Sequence, residues 1–158
     1  MLEIGARNIS GESEDFHSIV DHFPGSKVVG FEVDDYLCSK MNAESDSGFN
    51  YYAQAIGGAN EEADFYETLH PMCGSLLEPN LELVEKYNAM EVMRLQTVSS
   101  LHTMTLDDFI ASKDIGPIDF IKIDVQGAEL DIFKASPETF LSIHCSYEQN
   151  INTFYGNS

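Results

Sequence analysis

Residues 118–133 read IDFIKIDVQGAELDIF, and the reading of this stretch decides the fold. IDFIKIDV (118–125) is an apolar run rich in β-branched residues, as a buried strand requires. Gly127 supplies a turn. AELDIFKAS then continues at helical spacing, with Leu130 and Phe133 on one face. Asp124 closes the strand at a chain reversal. Glu129 falls in the first helical turn, where the macrodipole stabilises an acid without any further role.

The same alternation extends outward in both directions. In SEDFHSIVDHFPG, Phe16, Ile19, Val20 and Phe23 fall at i, i+3, i+4 and i+7, one face of a helix. Ser13 suits its N-cap and Pro24-Gly25 stops it. KVVGFEV (27–33) is a second buried strand, and DDYLCSKMN is a helix capped by Asp34 or Asp35. NYYAQAIGG (50–58) and EADFYET (62–68) are strand-like runs joined by turn chemistry, so a hairpin or two adjacent strands is expected. HPMCGSLLEPN (70–80) reads as loop, LELVEKY as a short helix and EVMRLQTV (91–98) as a strand. TLDDFIASK opens with Thr105 and has Asp108 three residues on, a start like a capping box. FLSIHCSYEQ (140–149) is the last strand candidate. Strands alternating with helices predict an α/β fold with a mostly parallel sheet flanked by helices.

Composition narrows the functional classes. The chain of 158 residues has 27 acids against 8 bases, a net charge of −19. Such a surface repels nucleic-acid backbones and anionic membranes alike. No apolar stretch reaches the length of a transmembrane helix, and the start of the sequence shows no signal-peptide pattern. Cys38, Cys73 and Cys145 are odd in number and lack CxxC spacing. Neither a disulfide framework nor a zinc site of ordinary spacing is expected, and reduced cytoplasmic thiols are the simplest reading. The five histidines form no metal-binding pattern, so no metal site is expected.

In sheets of this kind, ligands sit outside the carboxyl ends of the strands, where the strand order reverses. Three polar or glycine-bearing clusters fall at strand ends: Glu3 to Asn8, Glu32, and Asp124. A glycine turn at Gly5 allows close approach to the backbone. An acid such as Glu32, ending the second strand, accepts both hydroxyls of a ribose. The two are 27 residues apart, against roughly 20 in dinucleotide folds. The full G-x-G-x-x-G signature is missing. Glu12, Glu14 and Asp15 at the start of the first helix would oppose a pyrophosphate. These electrostatics favour S-adenosylmethionine over NAD as the nucleoside cofactor.

The segment DFIKIDVQGAELDIFK resembles the signature of the FkbM family of S-adenosylmethionine-dependent methyltransferases. EIGARN is similar to the family's D-x-G-A-N motif, VVGFEVD to its G-F-E-P strand end and SLLEPN to its Ser-Leu-Leu-Glu-Pro loop. YYAQAIGGANEEADFYE is similar to its hairpin and TMTLDDF to its T-L-D-D-F segment. The resemblance spans nearly the whole chain. It departs from the pattern at Glu3, where the family has Asp, and at Arg7, where it has Asn.

The resemblance implies a Rossmann-like class I methyltransferase sheet in a single domain over residues 1–158, expected to lack the last strands. It implies methyl transfer to a hydroxyl of a small metabolite or sugar. Carried over by position, Glu3, Gly5 and Ala6 lie beside the methionine part of the cofactor. Glu32 holds the ribose, and Ala55 and Ile56 border the adenine. Asp124 faces the methyl group and the small-molecule acceptor as the catalytic base. A shortened sheet raises two alternatives: a module that binds the cofactor without turnover, and an interaction module that pairs its exposed edge with a second copy or a partner chain.

Overall fold

Leu2–Ile4 (β1) lies at the centre of a five-stranded sheet in the computed structural model, which describes residues 1–7, 15–143 and 145–148. Val28–Glu32 (β2) and Phe49–Ala53 (β3) follow on one side, Phe120–Ile123 (β7) and Cys145–Glu148 (β8) on the other. The order is β3-β2-β1-β7-β8, and every pairing is parallel. Strand order reverses between β1 and β7. Their carboxyl ends are pinned there by the Asp124 N–H, which donates to the Ile4 carbonyl at 2.9 Å.

Alternation along the central strands sends side chains to two different layers. Leu2, Ile4, Ile121 and Ile123 face the main core with Phe31. This face packs against Leu106–Lys113 (α4) and Glu129–Ala135 (α5) through Leu106, Phe109 and Ile132. On the opposite face, Asp35–Glu44 (α2) covers β2 and β3 through Cys38 and Met41, which meet Ala6, Tyr51 and Phe49. Helices on both faces explain why the strands read as nearly continuous apolar runs.

The second face also carries a polar row. The register aligns Tyr51 with Gly30, Gly30 with Glu3, and Glu3 with Lys122. Gly30 is required in this row, because a Cβ there would fall on the Tyr51 ring. Burial, and then the charge of Glu3, push the Tyr51 phenol up to about 12. Its ordinary value is about 10. The folded state therefore holds the proton that the unfolded chain has already released, so stability is full below pH 10 and falls as pH rises from about 10 to 12. Tyr51→Phe should flatten that alkaline limb in urea titrations read between pH 9 and 12.

Several sequence expectations shift in register or role. The 50–58 run is divided at Gln54 into β3 and Ala55–Ile56 (β4). It forms no hairpin with Glu61–Thr68 (β5). Leu95–Met104 (β6) lies between them, antiparallel to β5 and parallel to β4, in a separate three-stranded sheet. Turn chemistry at 57–60 gives a reversal but does not choose the partner. The strand expected at 91–98 begins at Leu95, after a 3-10 turn over Asn88–Met93. The last strand begins at Cys145, because Pro137–Ser142 (α6) takes the start of that run.

Helix boundaries follow local chemistry more closely. Ser18–His22 (α1) follows a 3-10 turn over Asp15–His17 and ends before Pro24-Gly25, while the Ser13 cap lies outside the described residues. Asp34 caps α2 by accepting the Leu37 N–H at 3.0 Å, and Leu81–Val84 (α3) is the expected short helix. Thr105 caps α4 through the Asp108 N–H. The reciprocal half of the box comes from outside the helix: Asn60 Oδ1 accepts the Thr105 N–H at 2.8 Å. On α5 the buried face is Glu129 and Ile132, and Leu130 is 56% exposed, which corrects the expected face.

Candidate functional site

A cavity of about 90 Å³ opens at the carboxyl ends of β1, β2 and β7, where strand order reverses. Its walls include Ile4 and Gly5 from β1 and its turn, Phe31 and Glu32 from β2, and Asp124 and Gln126 after β7. Ala55 and Ile56 of β4 add an apolar side, and Pro71, Met72 and Gly74 close it from the loop between β5 and α3. Five of the seven residues assigned from sequence thus meet at one place: Gly5, Glu32, Ala55, Ile56 and Asp124.

Glu3 and Ala6 do not join them. Glu3 is 2% exposed on the helix-covered face, where its Oε2 lies 3.0 Å from His17 Nε2 and its Oε1 lies 3.8 Å from Lys122 Nζ. Ala6 is packed against Cys38 and Tyr51. Alternation on a three-residue strand is the reason: Ile4 faces the core and the cavity, so Glu3 must face the other way.

The Gly5 turn has a positive φ of 80°. A Cβ at this position would fall on the Asp124 carbonyl oxygen. The glycine is therefore demanded first by the contact between the β1 and β7 ends, before any ligand is considered. Lys122 supports the same junction from beneath. It is 4% exposed, and its ammonium lies 3.5 Å from the Gly5 carbonyl and 3.7 Å from Asp124 Oδ2. One buried cation thus faces two carboxylates and a turn carbonyl, and lies 5.7 Å from the Phe16 ring.

Asp124 is held on its other oxygen as well. Gln126 Nε2 donates to Oδ1 at 2.7 Å. Gln126 adopts a left-handed backbone, φ 58°, and its carbonyl accepts the buried Ser75 hydroxyl at 2.8 Å. Glu129 clamps the same turn: its Oε1 accepts the N–H of Gly127 at 3.1 Å and of Val125 at 3.4 Å. Glu129 is 1% exposed. Its role is to satisfy turn donors in the interior, beyond the dipole effect expected from sequence.

Glu32, the acid expected at a ribose, is 3% exposed and already engaged. Its Oε1 accepts the Asp34 N–H at 2.9 Å and a guanidinium N–H of Arg7 at 3.1 Å. Arg7 was not singled out by sequence reasoning as a site residue, although its departure from the D-x-G-A-N pattern was the available signal. Gln126 reads from sequence as turn chemistry that shapes the acceptor pocket, and the 71–74 segment reads as loop. Cys73 in that loop is a neutral thiol, because burial and then the Asp124 charge push its titration up. His144, beside Cys145, lies outside the described residues.

The donor set fits an adenosine-bearing sulfonium ligand. Ile4, Phe31, Val33, Ala55 and Ile56 give the cavity its apolar lining, and Glu32 and Asp124 are the acids that line it. A parallel sheet in this strand order, with a cavity at its switch point, defines a Rossmann-like fold, consistent with that of a methyltransferase. The family model of the methyltransferase FkbM domain matches residues 3–154, and the chain belongs to that family. No curated protein and no solved structure matches the chain. Among the described residues, no helix is long and apolar enough to cross a membrane, and no group of three or more His, Cys, Asp or Glu is placed to hold a metal ion.

Proposed function

We propose that the chain uses S-adenosylmethionine to methylate a hydroxyl of a small metabolite or sugar, in the cytoplasm. The observation that carries this reading is the meeting of Gly5, Glu32, Ala55, Ile56 and Asp124 around one cavity at the switch point. When bound, the cofactor supplies an electrophilic methyl group on a positively charged sulfur. Glu32 provides a carboxylate for ribose hydroxyls, and the apolar lining accepts the adenine. Asp124, positioned by Gln126 and Lys122, is the carboxylate that would take the proton of an acceptor hydroxyl. Holding the acceptor in line is worth up to roughly 7–11 kcal/mol, and the base contributes about 10²–10⁴-fold.

The engagement of Asp124 also favours a second reading, a module that binds the cofactor without turnover. A carboxylate already accepting from Gln126 at 2.7 Å and facing Lys122 at 3.7 Å serves to balance charge as readily as to accept a proton. Calorimetric titration with S-adenosylmethionine, with NAD⁺ as control, tests the shared premise. Micromolar binding of the first alone supports it; a folded chain that binds neither refutes it. Asp124→Asn separates the two readings. Transfer of labelled methyl to a panel of hydroxylated small molecules should fall about 10²–10⁴-fold under the catalytic reading, with cofactor affinity within a few-fold of wild type. The binding-module reading expects no transfer by either protein.

A further inference from the structure

We infer that Arg7 is a built-in competitor for the ribose subsite, a specificity-determining residue that a ligand must exchange for its own hydroxyl donors. The inference rests on the nucleoside reading of the cavity and adds to it what occupies Glu32 in the absence of ligand. Three observations carry it.

Glu32 is 3% exposed, and the guanidinium covers the oxygen that it presents to Arg7 and to the Asp34 N–H. Two ribose hydroxyls seeking a bidentate carboxylate therefore meet a carboxylate with one oxygen already holding two donors. A hydroxyl pair gains full access only when the Arg7 contact is given up.

Arg7 has somewhere to go. Its Nη1 donates to the Pro71 carbonyl at 3.2 Å and its Nη2 lies 3.6 Å from Asp34 Oδ2. Both partners remain after Glu32 is released. The guanidinium also stands in a dividing wall. Arg7, Val33, Phe65, Pro71 and Gly74 line the cofactor cavity on one side and a second cavity of about 350 Å³ on the other, which Asp34 also lines. Displacement toward Asp34 takes Arg7 to the far side of that wall.

The cavity also needs the room. Its 90 Å³ is below the roughly 300–1,000 Å³ of small-molecule sites. Arg7 and Pro71, joined by their hydrogen bond, both line the two chambers. Arg7 is the one cationic side chain among the described residues lining the cavity, which the acids Glu32 and Asp124 also line.

The test is calorimetry on wild type, Arg7→Met and Arg7→Lys with three probes: S-adenosylhomocysteine, adenosine and 2′,3′-dideoxyadenosine. Releasing a charge-assisted hydrogen bond should make Arg7→Met bind S-adenosylhomocysteine and adenosine about tenfold more tightly than wild type. Dideoxyadenosine should show no such gain, since it brings no hydroxyls to Glu32. Arg7→Lys retains a cation and should stay near wild type. Equal affinity of wild type and Arg7→Met for S-adenosylhomocysteine overturns the competition while leaving the nucleoside reading intact. Weaker binding by Arg7→Met overturns it too, by making Arg7 a direct ligand contact. A gain of equal size for dideoxyadenosine removes the ribose from the argument. No binding by any folded variant overturns the nucleoside reading and the inference together; the far-UV circular dichroism of each variant establishes that it is folded.

Discussion

Lys122→Met should lower the unfolding free energy by about 3–5 kcal/mol, the cost of removing one partner from a buried ion network. The methionine fits the space of the lysine stem, so packing is nearly kept and the charge is what is lost. Lys122 is 4% exposed and faces Glu3 at 3.8 Å and Asp124 at 3.7 Å, with the Gly5 carbonyl at 3.5 Å. Without it, the partner left to Glu3 among the described residues is His17, an imidazole charged only when protonated. The urea midpoint should drop with little change in slope. Adding Glu3→Gln should recover part of the loss, because the orphaned charge goes with it. A double variant no more stable than Lys122→Met alone would show that the deficit is packing.

Gly5→Ala should be comparably damaging for a different reason. A non-glycine residue at positive φ costs about 1–2 kcal/mol, and forcing atoms into a packed site adds about 1–3 kcal/mol. Gly5 has both problems, since its φ is 80° and the new methyl would fall on the Asp124 carbonyl oxygen. Because the Asp124 N–H donates to Ile4 next door, the β1 and β7 ends must move apart to make room. A total loss of about 2–5 kcal/mol is expected in urea unfolding, with weaker binding of S-adenosylhomocysteine by whatever protein remains folded. Gly25→Ala is the control. Its φ is 89° but nothing lies within 4 Å of the added carbon. It should cost only the conformational part, about 1 kcal/mol. Equal losses at the two glycines would rule out the close approach of the two strand ends as the cause.

Both predictions concern the junction of β1 with β7, and the sequence marked its ends without showing their contact. Asp124 and Gly5 are legible because each closes an apolar run at a chain reversal. Glu32 is legible for the same reason, and so are the caps Asp34 and Thr105, whose partners lie three residues away. Lys122 is hidden in a strand, where a lone cation between isoleucines looks like a solvent-facing alternation. Its value comes from Glu3, 119 residues earlier in the chain and directly opposite it across the sheet. Arg7 is similar: its partners Glu32 and Pro71 lie 25 and 64 residues away.

The hairpin or adjacent pair expected from 50–58 and 62–68 does not form, because β6 lies between β4 and β5. Turn residues encode a reversal, and β5 does reverse direction. Which strand it pairs with depends on β6, whose ten residues run antiparallel to it through nearly its whole length. Likewise the 70–80 segment reads as plain loop from its Pro and Gly content. Its place as a cavity wall is set by Ser75, whose hydroxyl reaches the Gln126 carbonyl 51 residues on.

The sequence by itself determined the α/β alternation, the acids and glycine at the strand ends, and the helix caps, because each depends on chemistry within a few residues. Only the tertiary structure decided that Glu3 turns away from the cavity, that Lys122 joins Glu3 and Asp124, and that Arg7 covers Glu32. Those outcomes depend on register between distant strands, where moving one residue along a strand reverses the face of every side chain.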